Sequence, residues 1–298
     1  MSICIFCHKD SSMSKSIEHI IPESLGNKHH VLSAGYVCDE CNHYFAIKIE
    51  KELLTQPYFV SMRFRNEILT KKGKLVKEKM IFPGALKSCE VTMQTTKDGL
   101  IASFEDKELY NLIKADKTRT MIAPYIPAPK YPNTIMSRFL AKCAYEYFLY
   151  NMGEDKYDLC VQELLGSEVD ILKDLREYAR YGKGKYWQYN QRRIYSEGDC
   201  FFNQNENRLY EILHEMKFLV KNYKRYPNEN VEAEIYFIMS IAGIEYAICI
   251  SDPDISEYQK WLEEHDGDSP LKDDAETFSF GLSDVNPILI KKDDNRIY

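Results

Sequence analysis

Apolar residues recur along this chain at two spacings, and the switch between them marks the elements. Phe45, Ile49 and Leu53 fall four apart, which predicts a helix over residues 38–54. Just before it, residues 17–21 enter a short hairpin. Between 74 and 104 the period shortens to two. Leu75-Val76-Lys77-Glu78-Lys79-Met80-Ile81-Phe82 and Glu90-Val91-Thr92-Met93 are rich in β-formers, and Lys97-Asp98-Gly99 supplies a turn, so a small antiparallel sheet is predicted. Pro124, Pro127, Pro129 and Pro132 form a stiff connector, because proline fixes φ and stops helices. A helix over 133–151 follows, with Ile135, Phe139, Leu140, Cys143, Ala144, Tyr147 and Phe148 as its apolar positions and Gly153 beyond its end. A second amphipathic helix, over 168–181, carries Val169, Leu172, Leu175 and Tyr178 on one face and stops at Gly182-Lys183-Gly184. Two strand-like runs, 234–241 and 245–250, flank Ala242-Gly243 and read as a hairpin. Residues 256–265 read as a short helix, and the chain after Gly267 as loosely ordered.

Composition narrows the class. The 298 residues are 44% hydrophobic and 29% charged, enough for a sizeable core. No apolar run approaches the ~20 residues of a membrane helix, and the first residues lack the basic-then-apolar order of a signal peptide. A cytoplasmic protein is the expectation. Nine cysteines, an odd number, point to a reducing compartment. Cys89, Cys143, Cys160, Cys200 and Cys249 are scattered, whereas the other four are paired near the start. Five of the seven histidines also precede residue 44.

Those four cysteines carry the chemistry. Cys4-x-x-Cys7 and Cys38-x-x-Cys41 are separated by about 30 residues, a spacing that closes one tetrahedral Cys4 zinc site. A segment this small cannot build a core of its own, so a structural zinc would supply folding energy. Between the pairs runs Glu18-His19-Ile20-Ile21-Pro22-Glu23-Ser24-Leu25-Gly26, and Asn42 follows the last cysteine. The zinc staple would hold a carboxylate, an imidazole and an amide around one point, as metal-assisted phosphodiester hydrolysis requires.

Together these residues resemble the zinc-bearing branch of the HNH endonucleases, whose fold is the ββα-metal finger. The resemblance covers about residues 1–55. It implies an α+β protein with an N-terminal zinc-stabilised ββα-metal finger, followed by a mixed α/β region with antiparallel strands. It also implies His19 as general base, since neutral imidazole can take a proton from water near neutral pH. Glu18 and Asn42 would hold a catalytic Mg²⁺ or Mn²⁺, a hard ion that prefers oxygen donors; the family more often has Asp at the Glu18 position. His43 is an alternative to Asn42, whose other reading is a helix N-cap. His30 is the choice for the middle position that orients the base, Asn27 lying rather early.

Substrate contacts are read from charge. The net charge of −7 argues mildly against non-specific coating of nucleic acid. Residues 63–87 are locally basic, however, and the chain from Glu229 onward is acidic, which suits a partner surface or plain solubility. Arg176, Arg180, Lys183, Lys185, Arg192 and Arg193 are interleaved with Tyr181, Tyr186, Trp187 and Tyr189, a mixture that can grip phosphates and stack on bases. A tyrosine-rich core edge with solvated charges accounts for it equally. The expected division is a finger (1–55), a small β-rich region with the proline connector (56–130), and a regulatory or partner-binding α+β region (131–298).

The expectation is thus a metal-dependent endonuclease acting on DNA, with RNA open beside it. By family resemblance it would serve restriction or anti-phage defence, with a partner ATPase or regulatory protein and homo-oligomers as candidate assemblies. The alternatives are a non-catalytic zinc-finger adaptor, or a latent nuclease switched on by a partner or nucleotide.

Overall fold

The computed structural model describes residues 2–116, 120–151, 172–204, 207–211, 214–223, 232–272, 276–278 and 288–291. The chain divides into two compact units: Met1–Glu52 with Tyr131–Tyr298, and Leu53–Lys130. The finger and residues 131–298 lie in the same unit.

In the first unit, β1 (Glu18–His19) pairs antiparallel with β2 (Val31–Leu32), in the register Glu18 to Leu32 and His19 to Val31. Then α1 (Asp39–Phe45) runs without a break through a π-helical turn, Ala46–Glu50, into α2 (Lys51–Leu54). This is the ββα order that the family resemblance implies. The tight connection after β1 is a 3-10 turn, Glu23–Leu25, closed by Gly26 at φ 94°. That left-handed backbone favours glycine, which carries no Cβ to clash.

Helix α5 (Thr134–Asn151) is the centre of this unit. Asn133 caps it, its Oδ1 accepting from the Ile135 and Met136 amides at 3.0 and 3.1 Å. Twelve of its residues are buried, on every side of the helix, so it is a core helix rather than a surface one. One side meets the finger, where Phe6 sits against Phe45 (centroids 4.5 Å) and Tyr145 (5.3 Å). Another meets a five-stranded antiparallel sheet of order β12-β9-β10-β11-β6, with Tyr147 against Phe218 and Phe237. Its strands are β6 (Tyr189–Arg193), β9 (His214–Tyr223), β10 (Glu232–Ile241), β11 (Ile244–Cys249) and β12 (Glu276–Phe278). The opposite face packs Tyr236, Ile238, Ala247 and Cys249 against Tyr258 of α7 (Ser256–Glu264). Strand β11 is buried throughout for that reason. Ala242 and Gly243, both at positive φ, close the β10–β11 hairpin as its primed turn requires. A small sheet, β13-β7-β8, is built from β7 (Cys200–Asn203), β8 (Arg208–Tyr210) and β13 (Ile288–Ile290). Helix α6 (Lys173–Tyr181) ends at Gly182, as its sequence predicts; the expected start of that helix, 168–171, lies outside the described residues.

The loose order expected after Gly267 does not hold for residues 268–272. Ser269 and Leu271 are buried there, with Leu271 in the core under α7 and the Ser269 hydroxyl on the Glu245 carboxylate.

The second unit contains α3 (Pro57–Arg65), the sheet β3 (Glu78–Phe82), β4 (Lys87–Thr96), β5 (Gly99–Ser103), and α4 (Lys107–Asp116). Phe64, Met80, Phe82, Val91 and Leu109 form its core. No helix among the described residues is long and apolar enough to cross a membrane.

Candidate functional site

The four cysteines of the finger converge. The Sγ atoms of Cys4, Cys7, Cys38 and Cys41 lie within 4.8 Å of one another. The local fold explains why. The first knuckle turns back on itself through Cys4 N–H to Lys9 O and His8 N–H to Cys4 O, both 2.9 Å, with His8 at φ 59°. The second knuckle is the start of α1, where Cys38 is the N-cap and its sulfur accepts from the Cys41 amide at 3.4 Å. The Cys38 amide in turn donates to Cys4 Sγ at 3.3 Å. Backbone donors aimed at sulfur favour thiolates. The Cys4 thiol is drawn down to about 4 by its hydrogen bond with Cys41, while Cys41 is driven up by the same bond and Cys7 is pushed to about 11 by burial. The sulfurs therefore share protons unequally, and a zinc ion would displace those that remain. Four soft donors in one buried cluster fit zinc and leave no open position for chemistry.

Helix α6 closes over this cluster. The Arg180 guanidinium donates from Nε to Cys41 Sγ at 3.2 Å and lies over the Tyr44 ring at 3.8 Å. Arg176 contacts the His8 ring. Both arginines were candidate substrate grips, and both are buried against the zinc knuckles instead. Arg192 is half-buried, and its Nε meets the buried Glu245 carboxylate at 2.5 Å. Arg193 bridges to Glu197 at 3.3 Å. Trp187 and Tyr189, expected as stacking rings, are buried, and Trp187 Nε1 donates to Cys249 O at 2.6 Å. Lys183 is exposed in the loop after α6, its ammonium 5.2 Å from the Tyr181 ring. Arg176, Arg180, Trp187 and Tyr189 thus form a core edge, while Tyr181, Lys183, Lys185 and Tyr186 are exposed between them. In the second unit the basic stretch is dispersed too. Arg63 is buried, Lys77 pairs with Glu105 at 3.0 Å, and Lys87 with Asp106 at 2.8 Å.

Asn42 is bonded to the strand that bears His19. Along β1 the side chains alternate: Ile17 is exposed, Glu18 buried and His19 half-buried. The Asn42 amide, in the second turn of α1, donates from Nδ2 to Ile17 O at 3.2 Å. Cys38 caps the helix, so the cap role considered for Asn42 is already taken. His43 is exposed on the same helix.

Glu18 is placed differently from the role expected of it. Its side chain is 4% exposed and its Oε1 lies 2.6 Å from the Lys142 ammonium. The oxygen pair anticipated for a Mg²⁺ or Mn²⁺ ion, Glu18 with Asn42, is therefore not gathered, because Glu18 points inward while Asn42 lies at the strand's outer edge. The donor set does not fit a hard ion in this form, and no ligand set is assigned to one.

His30, the choice for the middle position, is buried with its ring 5.3 Å from that of Tyr150. The residue that fastens the loop is Asn27. Its Nδ2 donates to Ile21 O at 2.7 Å and His30 O at 3.2 Å, and its Oδ1 accepts from the His29 and His30 amides at 2.9 and 3.2 Å. One fully buried amide thus bonds four backbone groups between β1 and β2. The signal was present, since asparagine just after Gly26 is suited to bonding its own backbone two residues on.

Two more residues were not singled out. Lys142 is discussed below. His214, at the start of β9, is fully buried and donates from Nε2 to Leu25 O at 2.9 Å, tying the sheet to the finger loop. Burial pulls its pKa down to about 4.

Residues 4–57 match the family model of the HNH endonucleases, so this segment is an HNH domain. No curated protein and no solved structure is similar enough to the chain to count as a match.

Proposed function

We propose that the finger is the cleavage centre of an endonuclease that hydrolyses phosphodiester bonds of DNA. The observation that carries this reading is Asn42 of α1 bonded to the strand that bears His19, beside a cluster of four cysteines and within a segment that matches the HNH family. His19, half-buried as a residue, takes the proton from the attacking water through its imidazole. Asn42 bonds the strand one residue before Glu18 and so fixes where that imidazole stands. Asn27 holds the loop that returns the chain to β2. The cysteine cluster, with all four sulfurs turned to one another, is structural in this reading.

The test is plasmid nicking by the zinc-loaded full chain with Mg²⁺ or Mn²⁺, and with EDTA. His19→Ala should lower the rate by about 10²- to 10⁴-fold while zinc content and melting temperature stay at wild-type values. Cleavage undiminished in His19→Ala would remove His19 as the base. The same assay on single-stranded DNA and RNA would show whether duplex DNA is the preferred substrate.

A second reading, a non-catalytic zinc-finger adaptor, is favoured by one observation: Glu18 is committed to Lys142 and not to a metal site. A folded, zinc-loaded wild type that cuts no nucleic acid would support it. A cytoplasmic role in restriction or anti-phage defence, with an ATPase or regulatory partner, rests on family resemblance alone. Equal plaque counts on cells carrying wild type and His19→Ala would argue against that role.

A further inference from the structure

We infer that Lys142 is a positioning residue for the strand that bears His19, and that Glu18 works through Lys142 instead of as a metal ligand. The inference rests on the nuclease reading of the finger. Lys142 lies on α5, well outside the segment that matches the HNH family.

Its side chain is completely buried, and its Nζ meets four oxygens: Glu18 Oε1 at 2.6 Å, His19 O at 3.0 Å, Glu146 Oε2 at 3.1 Å and Glu50 Oε1 at 3.3 Å. An ammonium has three protons to donate. Four acceptors compete for them, and two belong to successive residues of β1. Burial alone would strip the proton from a lysine. The carboxylates of Glu146, Glu18 and Glu50 outweigh that effect and hold Lys142 charged, well above its ordinary range. Burial in turn pushes the Glu146 carboxyl well up.

The strand needs such a hold. The β1–β2 ladder contains two residue pairs, too few to fix a backbone by itself. Helix α5 adds bonds to consecutive carbonyls, Lys142 Nζ to His19 O and Cys143 Sγ to Ile20 O, both at 3.0 Å. Buried ion clusters are often no more stabilising than apolar residues of the same volume. Their directional bonds do fix geometry, and general-base catalysis depends on it, since small displacements of a base cost large factors in rate. The cation meets the backbone carbonyl of His19 and the carboxylate of its neighbour Glu18, and so holds the strand that carries the imidazole.

The experiment uses zinc-loaded full-length protein. Glu146→Gln leaves both Lys142 contacts with β1 in place and should cleave close to the wild-type rate. Lys142→Met combined with Glu146→Gln removes the cation together with one of its carboxylates. It should lower kcat by about 10²-fold, with KM for DNA and half-saturation by Mg²⁺ unchanged, and adding Glu18→Gln should cost little more. A wild-type kcat in the zinc-loaded double variant would overturn the proposal. So would Glu18→Gln alone raising half-saturation by Mg²⁺ with kcat restored at high Mg²⁺, the behaviour of a ligand. Should the double variant not fold, Lys142→Arg takes its place: the guanidinium keeps the charge but not the point donor, and an unchanged kcat there would overturn the proposal equally. Wild type without cleavage would end the nuclease reading on its own. Positioning is then read from hydrogen exchange of the Ile20 amide, which donates to His30 O at 3.1 Å. That amide should exchange about 10-fold faster in whichever variant folds, with β10 and β11 unchanged; equal protection of Ile20 would refute the hold.

Discussion

The finger and the five-stranded sheet sit in one compact unit but are held by different means. The sheet is held by area. Strand β11 is buried along its whole length, with α5 on one face and α7 on the other. Its one deep charge, Glu245, is answered by Arg192, the Tyr258 hydroxyl at 2.9 Å and Ser269. The finger is held by points: four sulfurs, the Asn27 amide, the Lys142 ammonium and the His214 ring. Between them these leave His19 half-buried at the edge. A region held by area tolerates small losses, whereas a region held by points should lose local geometry when one point is removed.

Zinc removal is the largest test of that contrast. Structural zinc supplies about 10 kcal/mol or more of folding free energy in small finger domains, so chelation or Cys41→Ser should unfold the finger and abolish nicking. Amides of β10 and β11 should remain protected in the same sample. Loss of protection in both regions at the same chelator concentration would mean that the unit is one cooperative body.

The next effect is one of pH, and it sits on the seam between the two regions. Burial raises Glu215 from the ordinary 4.5 to about 7, with Tyr195 OH donating to it at 2.9 Å. Its contribution to stability is complete below pH 4.5 and is lost as pH rises through 7. Its neighbour His214 is lowered from 6.5 to about 4, so its contribution is complete above pH 6.5 and is lost as pH falls through 4. The two slopes oppose each other between pH 4.5 and 6.5. Glu215→Gln removes the first, and should make the protein more stable than wild type at pH 8 by on the order of 3 kcal/mol, with a steeper fall on the acid side. Urea midpoints from pH 4 to 8 provide the measurement, and parallel curves for the two proteins would refute the assignment.

The smallest effect sharpens the point-held side. Arg180→Ala deletes the hydrogen bond to Cys41 Sγ, and such outer contacts change metal affinity by about 10- to 100-fold. Competition with a chromophoric chelator should show weaker zinc binding with an unchanged fold. Unaltered affinity would reduce Arg180 to packing on Tyr44.

Much of the architecture was legible because it is local. The helix expected over 133–151 forms as Thr134–Asn151 with Asn133 as its cap, and Ala242-Gly243 closes the hairpin that its flanking strands require. These features depend on residues within one turn or one ladder step of each other. The cationic stretch from Arg176 to Arg193 was ambiguous because charge in a sequence carries no direction. Only packing shows that Arg176 and Arg180 face the zinc knuckles and Arg192 a buried glutamate. A lysine on an apolar helix, four residues before Glu146, was the available sign of a buried ion pair.

By itself, the sequence determined the zinc knuckles, the hairpin and helix between and after them, and the residue types offered for hydrolysis. Their spacing is covalent, and short loops leave few geometries. The tertiary structure alone decided which way each of those residues faces. Lys142 reaches His19 across 123 residues of chain, and a contact of that separation is set by which surfaces bury together. That burial turned Glu18 inward, away from the position a metal ligand would need.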